Sequence, residues 1–107
     1  MLPTVVDLKV TQGDSFAQAF RLSEDGTPVD LTGSTIEAEL RNRAGERIPL
    51  VATADLEQPG VVVLGYVEIP PHGHYRWDLE VTEAGDVVRT WVAGRFDVIR
   101  DVTNEPA

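Results

Sequence analysis

The segment Gly73-His74-Tyr75-Arg76-Trp77-Asp78-Leu79-Glu80-Val81 constrains the fold of this chain more than any other. Tyr75, Trp77, Leu79 and Val81 fall on one face and Arg76, Asp78, Glu80 and Thr82 on the other. That strict period of two is the mark of a half-buried strand. A glycine two residues before the tyrosine that opens such a strand predicts a tyrosine corner, in which the phenol hydroxyl pins a loop at the edge of a β-sandwich.

The rest of the chain reads the same way. Val6, Leu8 and Val10 alternate through a first strand from Val5 to Thr11, and Phe16, Phe20 and Leu22 share one side of a second. Asp25-Gly26 is a tight-turn dipeptide, since both residues tolerate positive φ. The short piece Val29-Asp30-Leu31 reads as extended. Ser34 to Asn42 alternates Ile36, Ala38 and Leu40 inward with Glu37, Glu39 and Arg41 outward. A loop at Arg43-Ala44-Gly45-Glu46 leads to a strand from Ile48 to Ala54, and Asp55 to Gln58 has room for one helical turn before Pro59-Gly60. Val61 to Ile69 is apolar on both faces, as a doubly covered strand requires. Glu83-Ala84-Gly85-Asp86 reads as the last hairpin turn, before a long strand from Val87 to Val102. No amphipathic helix interrupts the series. The expected fold is all-β: an immunoglobulin-like antiparallel β-sandwich of about seven to eight strands, with a small β-barrel as the alternative. A single domain over residues 1–103 and a frayed tail at 104–107 are expected.

Several function classes are disfavoured at this stage. The 107 residues include no cysteine, so neither a disulfide framework nor a thiolate metal site is available. The amino terminus lacks the basic and long apolar regions of a signal peptide, and Val61-Val62-Val63-Leu64 is far too short to span a bilayer. A net charge of −9 argues against nucleic acid, whose phosphates need a basic surface. His72 and His74 flank Gly73 in a Pro/Gly-rich corner, where side chains diverge, and read as a solvated turn and not as metal ligands. Ser15, Ser23 and Ser34 lack a nucleophile elbow, and the glycines are dispersed one per turn without forming a phosphate loop. The chain is therefore expected to be no enzyme and to need no cofactor and no metal.

One surface stands out. In the last strand, parity puts Val88, Thr90, Val92, Phe96 and Val98 on one face and Arg89, Trp91, Ala93, Arg95 and Asp97 on the other. Laid beside the Tyr75 and Ile36 strands, this outward face shows acids and arginines around Trp91. Trp and Arg are enriched at interaction hot spots, so Trp91, Arg89, Arg95, Arg76 and Glu39 are the candidate partner-binding residues. The competing reading is that Gly94 marks a bulge, which shifts the register and buries Trp91. A second surface is the Val5 to Thr11 edge, which carries few charges to block strand addition.

Read together, the blocks Thr11-Gln12-Gly13-Asp14-Ser15-Phe16, Gly26-Thr27-Pro28-Val29-Asp30-Leu31-Thr32-Gly33-Ser34-Thr35-Ile36, Ala38-Glu39-Leu40-Arg41, Gly73 to Thr82, Gly94-Arg95-Phe96-Asp97-Val98 and Asp101-Val102-Thr103 form an ordered set. That set resembles small immunoglobulin-like structural proteins of tailed bacteriophages and the N-terminal domains of phage baseplate and fibre proteins. The resemblance implies a virion component, assembled in the bacterial cytoplasm, that binds the head or tail lattice as a decoration or adaptor protein. It implies capsid or tail subunits as partners, in symmetric copies, with neither nucleic acid nor membrane involved. It defines no functional residues. The alternative class is a free-standing carbohydrate- or peptide-binding module, for which several exposed aromatics would be expected.

Overall fold

The alternation of Tyr75, Trp77, Leu79 and Val81 makes β9 (Gly73–Glu83) the centre of the fold, with all four side chains buried. The computed structural model describes residues 3–68, 70–83 and 85–100. Antiparallel to β9 run β6 (Thr35–Arg41) on one side and β10 (Val87–Ile99) on the other. The sheet continues from β6 through β7 (Arg47–Ala54) and β8 (Val61–Tyr66) to β3 (Ala17–Arg21), all antiparallel. Two short strands, β1 (Thr4–Val5) and β2 (Leu8–Thr11), pair in parallel with β10. A separate hairpin of β4 (Ser23–Glu24) and β5 (Thr27–Pro28) turns at Asp25-Gly26, both at positive φ. The expected all-β sandwich is what forms.

The eight-stranded sheet folds over on itself, so that its β3–β8 end lies across from its β9–β10 end. Aromatic rings bridge the two. Phe16 meets Phe96 edge-on at 5.4 Å and stacks on Tyr66 at 5.0 Å, while Phe20 lies 5.5 Å from Trp77. Around them Leu40, Val62, Leu64, Leu79, Val81 and Phe96 are shut off from solvent completely. The tyrosine corner is present: the Tyr75 hydroxyl donates to the Pro71 carbonyl at 2.6 Å. Burial pushes the Tyr75 phenol pKa up, with Glu46 adding to the effect.

Three local expectations change. Asp55 to Gln58 forms a turn held by Asp55, whose side chain accepts from the Glu57 N–H, and not a helical turn. The bulge in β10 lies at Trp91 and not at Gly94, because the β9 ladder slips between Thr90 and Val92. Gly94 has a different task. The chain kinks between β1 and β2 over this residue, and a Cβ there would overlap the Val6 carbonyl. That crossing is tied by three hydrogen bonds: Val6 N–H to Ala93 O at 3.0 Å, Trp77 Nε1–H to Val6 O at 2.8 Å and Arg95 N–H to Asp7 Oδ1 at 2.9 Å. The Val5 to Thr11 segment thus already lends one side to β10. The expected continuation of β10 through Val102, and the tail, lie outside the described residues.

Candidate functional site

Directly opposed residues in an antiparallel ladder point to the same side of the sheet. The register places Arg47 opposite Arg41, Arg41 opposite Arg76, and Arg76 opposite Arg95. Four of the nine basic residues of an acidic chain therefore stand in one row across four consecutive strands, on the outer face. Two residues along runs a second row: Glu39 opposite Asp78, and Asp78 opposite Ala93. A shallow groove of about 740 Å³ lies over Arg41, Arg76 and Arg95 and over the acid row, with His74, Asp97 and Arg43 on its rim and Arg47 outside it.

The two rows neutralise each other at one end only. Glu39 accepts from Arg41 Nη2 at 2.8 Å and lies 3.7 Å from Arg47 Nε, while Asp78 is 3.9 Å from Arg41. The bond to Glu39 holds Arg41 still more firmly protonated. The Asp78 pKa is raised from its ordinary value, first by partial burial and then by Glu39, against the pull of Arg41 and Arg47. At the other end the acid row stops at Ala93. Among the described residues no carboxylate pairs with Arg76 or Arg95.

Of the residues expected to bind a partner, Arg76, Arg95 and Glu39 come together here. Arg89 and Trp91 do not. The slip at Trp91 puts Arg89 opposite Val81, on the core side of the ladder. Its guanidinium lies over the Trp91 ring at 4.3 Å from the centroid, with Glu24 at 3.5 Å and Glu83 at 3.9 Å. Trp91 itself is 7% exposed. The exposed Trp91 face read from parity is thus corrected: one extra residue in β10 turns the indole inward. Sequence reasoning placed Arg41 on this face, but missed Arg47 and the common register. Register is invisible until the hairpin loops are in place. His74, expected in a solvated turn, pairs through Nδ1 with Asp97 at 2.9 Å on the groove rim, its side chain otherwise open to solvent.

A β-sandwich without helix among its described residues defines an architecture that hosts many unrelated functions. No protein-family model matches the chain. No curated protein matches it. Solved structures do. CopC from Methylosinus trichosporium OB3b is 15% identical, with a TM-score of 0.57, over 98% of this chain and 88% of that one. PcoC from Escherichia coli, described as a methionine-rich copper resistance protein, is 20% identical with a TM-score of 0.52, over 86% of this chain and 87% of its own. Its selenomethionine form gives 21% and 0.52, over 86% and 89%. At such identities the likeness is one of fold.

These matches overturn the phage reading. The solved structures named above, which cover 86–98% of this chain, are CopC and the copper-resistance protein PcoC, not virion components. The expected family, the virion function, the capsid or tail partners and the virion location are corrected accordingly. The QGD and PVDLTG blocks that carried the resemblance are turn and strand-start chemistry here: Gly13, Gly26 and Gly33 all sit at positive φ. Any sandwich with similar turns selects such residues.

Proposed function

We propose that this chain is a non-catalytic binding domain whose site is the arginine-lined groove on the outer face of β6, β9 and β10. One observation carries the reading: four arginines in register, two of them without a carboxylate partner among the described residues. Like charges placed directly opposite one another destabilise a sheet, so an external anion would relieve what the fold leaves unbalanced. A guanidinium fork holds carboxylate or phosphate oxygens in two parallel hydrogen bonds, and it performs no proton transfer near neutral pH. Amide shifts during titration with inorganic phosphate test this. Shifts centred on Arg76, Arg95 and Ala93 are expected; shifts absent or spread evenly over the surface would overturn the reading.

The likeness to copper-resistance proteins brings copper as a second reading, and His74 with Asp97 is the place to examine. Asp97 orients the ring through Nδ1 and leaves Nε2 outward, an arrangement common behind metal-bound imidazoles. The donors stop there. Among the described residues no three of His, Cys, Asp and Glu gather in one place. The sequence has no cysteine and a single methionine, Met1, outside the described residues. These residues do not fit a resident copper site, which asks for several nitrogen, sulfur or oxygen ligands converging on the ion. Titration with Cu(II) should therefore show no stoichiometric binding; one equivalent held tightly, and lost in His74→Ala, would restore the copper reading.

A further inference from the structure

On the outer face the acid row ends one strand before the arginine row. Beside Arg41 stands Glu39, beside Arg76 stands Asp78, and beside Arg95 stands Ala93. Where a third acid would complete the row, the chain has a methyl group, and the groove opens over it. From this we infer that the groove takes a short acidic segment of a partner protein, laid across the strands, whose carboxylates engage Arg95, Arg76 and the free side of Arg41. The inference rests on the proposed anion-binding role of the groove and names its occupant.

Spacing supports a peptide. Neighbouring strands are about 4.8 Å apart, so Arg41, Arg76 and Arg95 span roughly 10 Å at the backbone. In an extended segment every second side chain lies on one face, about 6.7 Å apart, so three alternate carboxylates span about 13 Å. The two spans differ by about 3–4 Å, which the long arginine side chains cover by splaying outward. A long polyanion such as nucleic acid fits poorly. Most of its charge would lie over the rest of a chain that carries eighteen carboxylates and a net charge of −9. A short acidic segment presents its charge only where the arginines are. Among the described residues no exposed Phe, Tyr or Trp lines the groove for bases or sugars to stack on, because Tyr75 and Trp77 face the core and His74 on the rim is the one ring open to it.

Ala93 supplies the sharpest test. Ala93→Asp places the missing carboxylate beside Arg95 and Arg76 within the chain itself. The probe is a fluorescent peptide with glutamates at three alternate positions between serines, followed by anisotropy, with the glutamine version as control. Wild type should bind the glutamate peptide at least tenfold more tightly than the control. Arg76→Gln and Arg95→Gln should each lose about tenfold, and Ala93→Asp should lose as much while melting at the same or a higher temperature. Ala93→Ser should bind as wild type does. Equal binding of both peptides, or no loss in the two arginine variants, overturns the inference. If phosphate still shifts the groove amides in that event, the anion-binding reading survives and only its acidic-peptide occupant falls. If phosphate does nothing either, both fall.

Discussion

The chain has two tryptophans, both buried, and the fold treats them differently. Trp77 is 2% exposed, packs on Phe20 and donates its indole N–H to the Val6 carbonyl. It lies inward because it obeys the period of β9. Trp91 is 7% exposed and lies inward because β10 breaks its period, and its Nε1 has no partner among the described residues. A buried donor without an acceptor costs about 1–3 kcal/mol, set against the apolar area the ring buries and the Arg89 guanidinium stacked on it. Trp77 ties β9 to β3 and to the Val6 crossing between β1 and β2. Trp91 fills space and shields an arginine stem. Two residues of one type, equally hidden, are therefore not equally important to the fold.

That contrast can be broken by experiment, most forcefully at Trp77. Trp77→Ala should destabilise by about 3–5 kcal/mol, the usual cost of removing a buried aromatic, and free the Val6 carbonyl as well. A shift of the melting transition by only a degree or two would mean that the ring is not core. Gly94→Ala comes next. The new methyl group must push the Val6 crossing aside, and three hydrogen bonds at about 1 kcal/mol each are then at risk. Hydrogen exchange should show the Val6 and Arg95 amides losing protection while the β6–β9 ladder keeps it. Uniform protection would show that the crossing tolerates a side chain.

The direct comparison uses the same change at both sites. Trp77→Phe removes a satisfied donor and strands a carbonyl; Trp91→Phe removes an unsatisfied donor. The first should cost about 1–2 kcal/mol more than the second in chemical denaturation. Equal costs would show that Trp91 Nε1 is satisfied in solution. The smallest effect expected is at Asp78, on the outer side of the strand that carries Trp77. Its folded pKa is raised, so its neutral form favours the fold below the ordinary value of 3.8, and that contribution is lost as pH rises through the folded pKa. Asp78→Asn keeps the group neutral at every pH. The variant should melt about 1–2 °C higher at pH 7, with the gap closing below pH 3.8 and the tryptophan contrast unchanged. A lower melting point at pH 7 would mean that Arg41 and Arg47 stabilise the Asp78 carboxylate by more than burial and Glu39 oppose it.

How much of the site was legible follows the same division. Glu39, Arg41, Arg76, Asp78 and Arg95 were assignable to the outer face from period alone, because each alternates with buried apolar neighbours. Their meeting in register was not. It depends on the Asn42 to Glu46 loop, which Asn42 closes by accepting from the Glu46 N–H at 2.9 Å, and so sets Arg41 opposite Arg47. The phage resemblance failed because it was assembled from turn residues, and turn chemistry follows from backbone geometry that unrelated sandwiches share.

Local chemistry determined the all-β class, the inward set of β9, the Asp25-Gly26 turn and the tyrosine corner, since each depends on residues within a few positions of one another. The tertiary structure alone decided where β10 slips, why position 94 must be glycine, and, among the described residues, which of two tryptophans is satisfied and which outer-face arginines meet a carboxylate. Those four outcomes hang on contacts between residues 4–11 and 91–99, and on pairings across β7, β6, β9 and β10. A single inserted residue reverses the facing of everything before it. No local pattern records an insertion until the partner strand is there to measure it.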